Sequence, residues 1–346
     1  MKLLIITQTV DTEDPVLGFF VRWLEEFAKH VERIEVICLR EGKHTLPTHV
    51  RVHSLGKEKG VLRMGYLLNF YRYIWQLRHD YDAVFVHMNQ EYILLGGPLW
   101  RLSGKYIYLW RNHYAGSWLT DLAAFFCTKV FCTSTHSYTA KYDKTVMMPV
   151  GVDVERFDSG GCIERKPHSI LFLARMAPSK HSEVLIEALS ILAQRGIDFS
   201  ASLVGSPLRE DEAYYAALKE KVRTLSLDQR VLFLPGVPNE ETPDLYHAHE
   251  IFVNASPSGM FDKTIFEAAV SGCLVLSSST DVAGITGSAF TFGDAEDLAK
   301  HLVHGLSISG PERVMLARSL KDEAVRAHSL TALGDRLARE IGVYSA

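Results

Sequence analysis

The chain has 346 residues, of which 47% are hydrophobic and 23% charged, with a formal net charge of −4. That length exceeds what one hydrophobic core usually fills, so two domains are expected. The near-balanced charge excludes a nucleic-acid binder held by bulk electrostatics, and no uncharged apolar run reaches the roughly 18–20 residues of a membrane span. The first 150 residues are nevertheless more basic than acidic and the remainder more acidic than basic, which points to an anionic partner for the first half. The five cysteines show no C-x-x-C and no zinc spacing, as in a cytoplasmic protein with reduced thiols. The apolar start is short and runs into Asp11, Glu13 and Asp14, unlike a signal peptide.

In chain order, residues 2–7 form a short apolar run, as expected of a strand buried on both faces. From Phe19 the spacing predicts a helix with Phe19, Phe20, Trp23, Leu24, Phe27 and Ala28 on one face. Strands are predicted at 34–39, 83–87, 106–110 and 130–133, with a helix at 61–77. The series restarts after residue 169, with strands at 170–174, 200–204, 231–234, 251–254 and 273–277. A helix there is marked by Val184, Leu185, Ala188, Leu189 and Leu192 and stopped by Gly196. A last helix is predicted at 332–341. Strand–helix alternation twice over predicts an α/β chain of two Rossmann-like, doubly wound parallel-sheet domains facing across a cleft. The Gly/Ser-rich stretch 157–167 places the boundary, giving domains 1–157 and 158–346, with the last helix free to pack back on the first.

Chemistry in such a fold belongs in the loops after strands. After the strand at 170–174 come Arg175 and Lys180, five residues apart and just ahead of a helix, with Ser179 or Ser182 as its cap. A planar guanidinium, a point-charge ammonium and a helix N-terminus together suit a diphosphate; the plainer reading is two solvated loop cations. After the strand at 251–254, a Ser/Pro/Gly loop leads into a helix whose entrance, Met260, Phe261, Asp262, Lys263 and Thr264, offers backbone N–H groups to a sugar or phosphate. Glu267, one turn in, could accept two hydrogen bonds from a ribose diol; the plainer reading is a surface glutamate. The turn Pro149–Val–Gly151–Val–Asp153 reads as the joint between domains. His113 is one of 15 histidines and is singled out only by its place after a strand, at the cleft edge. Asp80–Tyr81–Asp82 precedes a strand and reads as a turn, not a metal site. No G-x-G-x-x-G follows either first strand, which argues against a nicotinamide or flavin enzyme.

The order Pro-x-Gly151-Val-Asp153…Phe157, strand-x-Arg175-x₄-Lys180, Leu-Val-Gly205, Phe-Leu-Pro-Gly236-Val237 and Ser-Pro-Ser…Phe-Glu267-Ala-Ala-x-Ser-Gly272 resembles the retaining glycosyltransferases of family 4, which are metal-independent and have the GT-B fold. The likeness spans nearly the whole chain and is strongest over 149–278. It implies a nucleoside-diphosphate sugar as donor, a glycan or lipid-linked hydroxyl as acceptor, no cofactor and no metal. It assigns Arg175 and Lys180 to the donor diphosphate, Glu267 to the ribose, Gly236 and Val237 to the base, His113 to the reaction centre, and Gly18 and Gly205 to loops that approach the substrate closely. Two positions depart from the family pattern. Gly259 stands where the first glutamate of Glu-x₇-Glu would be, with Asp262 as a partial substitute, and Leu17–Gly18–Phe19 replaces a double glycine.

The basic and aromatic segment 56–78 suggests peripheral contact with an anionic membrane from the cytoplasmic side; the plainer reading is a core helix with exposed arginines. Two other functions remain open on the sequence: a nucleotide-sugar epimerase of the same fold, and a non-catalytic sugar-nucleotide binder, the latter prompted by Gly259.

Overall fold

The computed structural model describes residues 1–158, 160, 164–260, 263–282 and 289–342. The first half is a seven-stranded parallel sheet of β1 (Lys2–Val10), β2 (Arg33–Glu41), β3 (Val50–Ser54), β4 (Ala83–His87), β5 (Tyr106–Trp110), β6 (Lys129–Cys132) and β7 (Thr145–Met147), in the order β3-β2-β1-β4-β5-β6-β7. Side chains alternate across a strand. On β1, Leu3 and Ile5 therefore enter one core layer and Leu4 and Ile6 the other. The first layer holds α1 (Phe19–Ala28) and the final helix, Leu330–Ile341; the second holds α2 (Arg63–Gln76), α3 (Glu91–Leu102) and α4 (Trp118–Phe126).

After the short α5 (Val154–Phe157), the second half repeats the plan with five parallel strands. These are β8 (Ser169–Leu173), β9 (Ser200–Val204), β10 (Val231–Leu234), β11 (Ile251–Asn254) and β12 (Leu274–Ser277), ordered β10-β9-β8-β11-β12. α6 (Ser182–Gln194), α7 (Glu212–Thr224) and the helix Ala295–Ser307 cover one face; α8 (Thr242–Ala248), α9 (Lys263–Val270) and the helix Gly310–Ala327 cover the other. In both sheets the strand order reverses beside the first strand, between β1 and β4 and between β8 and β11. These reversals leave crevices at the carboxyl ends of the strands, where ligands of open α/β sheets bind.

The halves are joined through Gly151, at φ +76°, where a Cβ would lie 2.4 Å from Leu333 and 2.9 Å from the Trp23 indole. Trp23 Nε1 donates to the Gly151 carbonyl at 3.1 Å, and Leu330 N–H donates to Val152 O at 2.7 Å. Asp153 accepts from Arg22 Nε at 2.8 Å and makes no side-chain cap on α5. The final helix lies against α1, and Lys129 Nζ reaches Glu340 at 2.8 Å. Arg165, within the linker-like stretch, is not loose: it donates to the carbonyls of Tyr246, His249 and Ser271 and so staples that stretch to the second half. Asp80 and Asp82 are turn residues, with Asp82 accepting Lys2 N–H at 2.8 Å and Asp80 paired with Arg33 at 3.2 Å. Cys38, Cys127, Cys132 and Cys273 are unpaired and buried; Cys162 lies outside the described residues.

His87, at the end of β4, stacks on Phe20 at 4.2 Å and sits 3.3 Å from Thr7 Oγ1. Burial pushes its imidazole down to about 3. The folded chain therefore keeps His87 neutral while the unfolded chain takes up a proton near pH 6.5. The associated stability is complete above that value and is lost as pH falls toward 3. His87→Phe fills the aromatic slot without titrating. Its unfolding free energy should fall less steeply between pH 6.5 and 4, by about 1.4 kcal/mol per pH unit; parallel slopes for variant and parent in denaturant titrations would refute this.

Candidate active site

The loop after β8 carries the two predicted cations. Arg175 is exposed, and Lys180 closes a 3-10 turn, Pro178–Lys180. Backbone bonds from Ala174 N to Val204 O and from Met176 N to Ser206 O tie this loop to the end of β9. The tie requires Gly205: a Cβ there would lie 1.9 Å from the Ala174 carbonyl. Gly236 is fastened to the same place, its N–H donating to Ser206 Oγ at 3.0 Å, and Val237 follows it, half-buried. Lys180 Nζ donates to Ser256 Oγ at 3.2 Å, on the loop after β11. The ammonium thus bridges β8 and β11, at the reversal of strand order. Neither Ser179 nor Ser182 caps α6; the cap position is His181, in left-handed conformation at φ +51°, without a side-chain cap bond. The His181 ring turns instead to Glu183 Oε1 at 3.1 Å.

His113 faces this site from the first half. It lies on the loop after β5, and its Nδ1 accepts the Ala115 N–H at 2.9 Å. Nδ1 also lies 3.2 Å from Ala115 O, so Ala115 holds this nitrogen in either protonation state. Burial depresses the ring's pKa, and the positive charges of Arg111 and Lys180 depress it further.

Glu267 is not a surface glutamate. It is 2% exposed, and both of its oxygens are engaged, Oε1 by Lys263 Nζ at 2.8 Å and Oε2 by Tyr246 Oη at 3.2 Å. Burial and the Glu267 charge hold the Tyr246 phenol protonated. Lys263 also lies 4.9 Å from the Phe19 ring centroid, so this buried pair reaches the first turn of α1 in the other half. The Lys263 side chain was not anticipated, although the i, i+4 spacing to Glu267 was its signal. Thr264 and Met260 flank the helix entrance, half-buried; Phe261 and Asp262 lie outside the described residues.

A seam of polar contacts closes one side of the cleft. Ser134 Oγ donates to Asp281 Oδ1 at 2.7 Å, His136 Nδ1 lies 3.2 Å from the same oxygen, and Gly259 N–H donates to Asp281 Oδ2 at 3.2 Å. Ser137 Oγ completes it by donating to Gly259 O at 3.2 Å. Gly259 has φ +84°, and a Cβ on it would meet the His136 carbonyl oxygen at 2.5 Å. No local pattern signals this seam, because its partners lie more than a hundred residues apart. On the far side, Gly18 starts α1, where a Cβ would lie 2.7 Å from Asp14 O. Gly18, Arg22, Lys43, Arg156 and Glu240 line a cleft of about 520 Å³ between the halves.

Residues 167–307, which carry the Arg175, Lys180 and Glu267 loops, match the family model described as glycosyl transferases group 1. Two curated relatives align over this region. Mannosylfructose-phosphate synthase of Agrobacterium fabrum is 33% identical over 147 residues, 39% of this chain and 32% of that one. D-inositol 3-phosphate glycosyltransferase of Nocardia farcinica is 30% identical over 160 residues, 43% of this chain and 35% of that one. The chain thus spans about a third of the length of the curated relatives it matches. Over the whole chain the fold is GT-B. Anabaena Alr3699/HepE in complex with UDP and glucose superposes with a TM-score of 0.79 at 19% identity, covering 99% of both chains. WaaG, described as a glycosyltransferase involved in lipopolysaccharide biosynthesis, gives 0.69 at 15% identity, again covering 99% of both.

Gly259 is the position where the resemblance drawn from the sequence would have an acidic residue, and here two backbones meet in the space a side chain would need. Gly259→Glu, which restores the pattern, should therefore destabilise the chain by on the order of 1–3 kcal/mol and part the halves. Thermal unfolding and small-angle scattering read both effects. An unchanged melting temperature together with an unchanged radius of gyration would show that the seam tolerates a side chain.

Proposed function

We propose that the chain is a glycosyltransferase. It moves a sugar from a nucleoside-diphosphate sugar to a hydroxyl of a glycan or lipid-linked acceptor, with retained anomeric configuration and without a bound metal. The observation that carries this reading is Lys180, held by Ser256 at the carboxyl ends of β8 and β11, where the strand order reverses. In transfer, the bond from the anomeric carbon to the diphosphate oxygen breaks and the electron pair stays with the diphosphate. A fixed ammonium and a guanidinium on that loop stabilise the charge as it grows. Retention requires the acceptor oxygen to approach on the face the diphosphate leaves, so both events take place beside the same cations. The acceptor proton passes to the departing diphosphate oxygen as the acceptor oxygen bonds to carbon. UDP-glucose, the molecule bound in another HepE complex, is the first donor to test.

Lys180→Ala should lower kcat/KM by on the order of 10²–10³, the scale of losing one preorganised charge. Full turnover by this variant, with any donor that raises the melting temperature of the parent protein, would remove Lys180 from the mechanism. Donor binding without transfer across an acceptor panel would favour instead a non-catalytic sugar-nucleotide binder, the reading that Gly259 supports.

Ala115 holds His113 at Nδ1 and leaves Nε2 as the ring atom that can meet a ligand. Protonating Nδ1 turns it from an acceptor of the Ala115 N–H into a donor toward Ala115 O, 3.2 Å away. Because the pKa is lowered, the ring remains neutral through pH 7 and protonates only below the ordinary imidazole value near 6.5. The rate profile should therefore show an acid limb with a midpoint below about 6.5, and His113→Gln should abolish that limb along with part of the rate. A limb that persists unchanged in the variant assigns it to another group.

A further inference from the structure

Three helices form the outer layer of the first half, and their solvent faces are unusually apolar for the surface of a soluble domain. On α3, Leu95, Leu99 and Leu102 are exposed at helical spacing, Leu102 by 87%. On α4, Trp118, Leu119, Leu122 and Phe125 do the same, with Trp118 at 70% and Phe125 at 69%. The two helices pack against each other, Gly97 of α3 leaving only 3.1 Å between its notional Cβ and Phe126 of α4. α2 continues the layer: Tyr71 Oη donates to Leu95 O at 3.1 Å, and Met64, Leu68 and Trp75 are exposed beside it. A contiguous apolar face of this kind marks an interaction surface, whereas singly exposed apolar residues do not.

The charges around the face select its partner. No acidic residue occurs between Glu91 and Asp121, or between Glu58 and Asp80. Those two stretches carry Lys59, Arg63, Arg72, Arg78, Arg101 and Lys105. Asp121, the one acid within α4, is neutralised by Lys141 at 2.7 Å and accepts from Tyr142 Oη at 2.6 Å. Arg78 lies over the Trp75 ring at 4.5 Å, the pairing of a cation with an amphipathic ring found where water meets hydrocarbon. No helix among the described residues is long and apolar enough to cross a membrane. An apolar ridge of Trp, Phe and Leu, rimmed by cations and unable to span, fits the interface of an anionic bilayer.

We propose that the α3–α4 face, extended by α2, docks on an anionic membrane surface. α4 starts five residues after His113, so docking holds the cleft edge at the level of the headgroups. The inference goes beyond glycosyl transfer and stands whether or not transfer occurs. The test is co-sedimentation of the full chain with phosphatidylcholine vesicles made with and without phosphatidylglycerol. Binding is expected to require phosphatidylglycerol and to weaken with salt. The double variant Trp118→Ser/Phe125→Ser should lose binding by at least roughly tenfold at an unchanged melting temperature. Lys180→Ala should bind vesicles like the parent, which separates docking from catalysis. Absence of binding to phosphatidylglycerol vesicles, or equal binding by the double variant, would overturn the proposal. So would a concentration-dependent dimer that the double variant abolishes, since the face would then belong to a second copy.

Discussion

The architecture depends on one close approach of backbone to backbone, where Gly259 from the second sheet meets the His136 carbonyl from the first with no room for a side chain between them. Together with Gly151 at the joint, it clamps the two halves at opposite sides of the cleft. The clamps differ in kind. Gly151 is sealed by Trp23 and Leu333, so parting it would expose a buried indole and apolar core. The seam at Gly259 is made of Ser134, Ser137, His136 and Asp281, each of which water can satisfy as well as the partner does. The halves should therefore hinge about Gly151 and open at Gly259, exposing the Lys180 side of the cleft first.

This asymmetry bears on the charge inside the cleft. Lys263 neutralises Glu267 within the fold, so that carboxylate adds little negative field at the entrance of α9. Lys180 donates to the Ser256 hydroxyl and Arg175 is exposed, so the β8 loop brings two cations to the crevice. An anion entering the crevice meets two cations and a string of loop amides. Burial first, and then the charges of Arg111 and Lys180, hold His113 toward its neutral form, which suits it to hydrogen-bond rather than to add a third charge.

What the sequence showed and what it concealed follow from the range of the interactions. Strands such as β1, β8 and β11 are short apolar runs buried on both faces, and periodicity alone reveals them. β3 (with Arg51 and His53) and β7 are edge strands, exposed enough to carry polar residues, and no apolar run marks them. α3 contains Gly96, Gly97 and Pro98, all poor helix formers; the helix forms because packing of Gly97 against α4 and of Trp100 against Tyr81 outweighs propensity. Arg175, Lys180 and Glu267 were legible as loop and helix positions after strands. The environment of Glu267 was not, because Tyr246 and Phe19 reach its salt bridge from other elements.

The start of α4 joins the two functional surfaces. Ser117 and Thr120 form a reciprocal capping box, which satisfies the first N–H groups of the helix and fixes where its first turn begins. That single register sets the direction of Trp118, Leu122 and Phe125 on the outer face. It also anchors the far end of the Arg111–Ser117 loop, whose near end is fixed by β5. His113 sits between these two anchors, held by Ala115. The apolar face and the cleft edge are thus joined through one short loop and one helix cap.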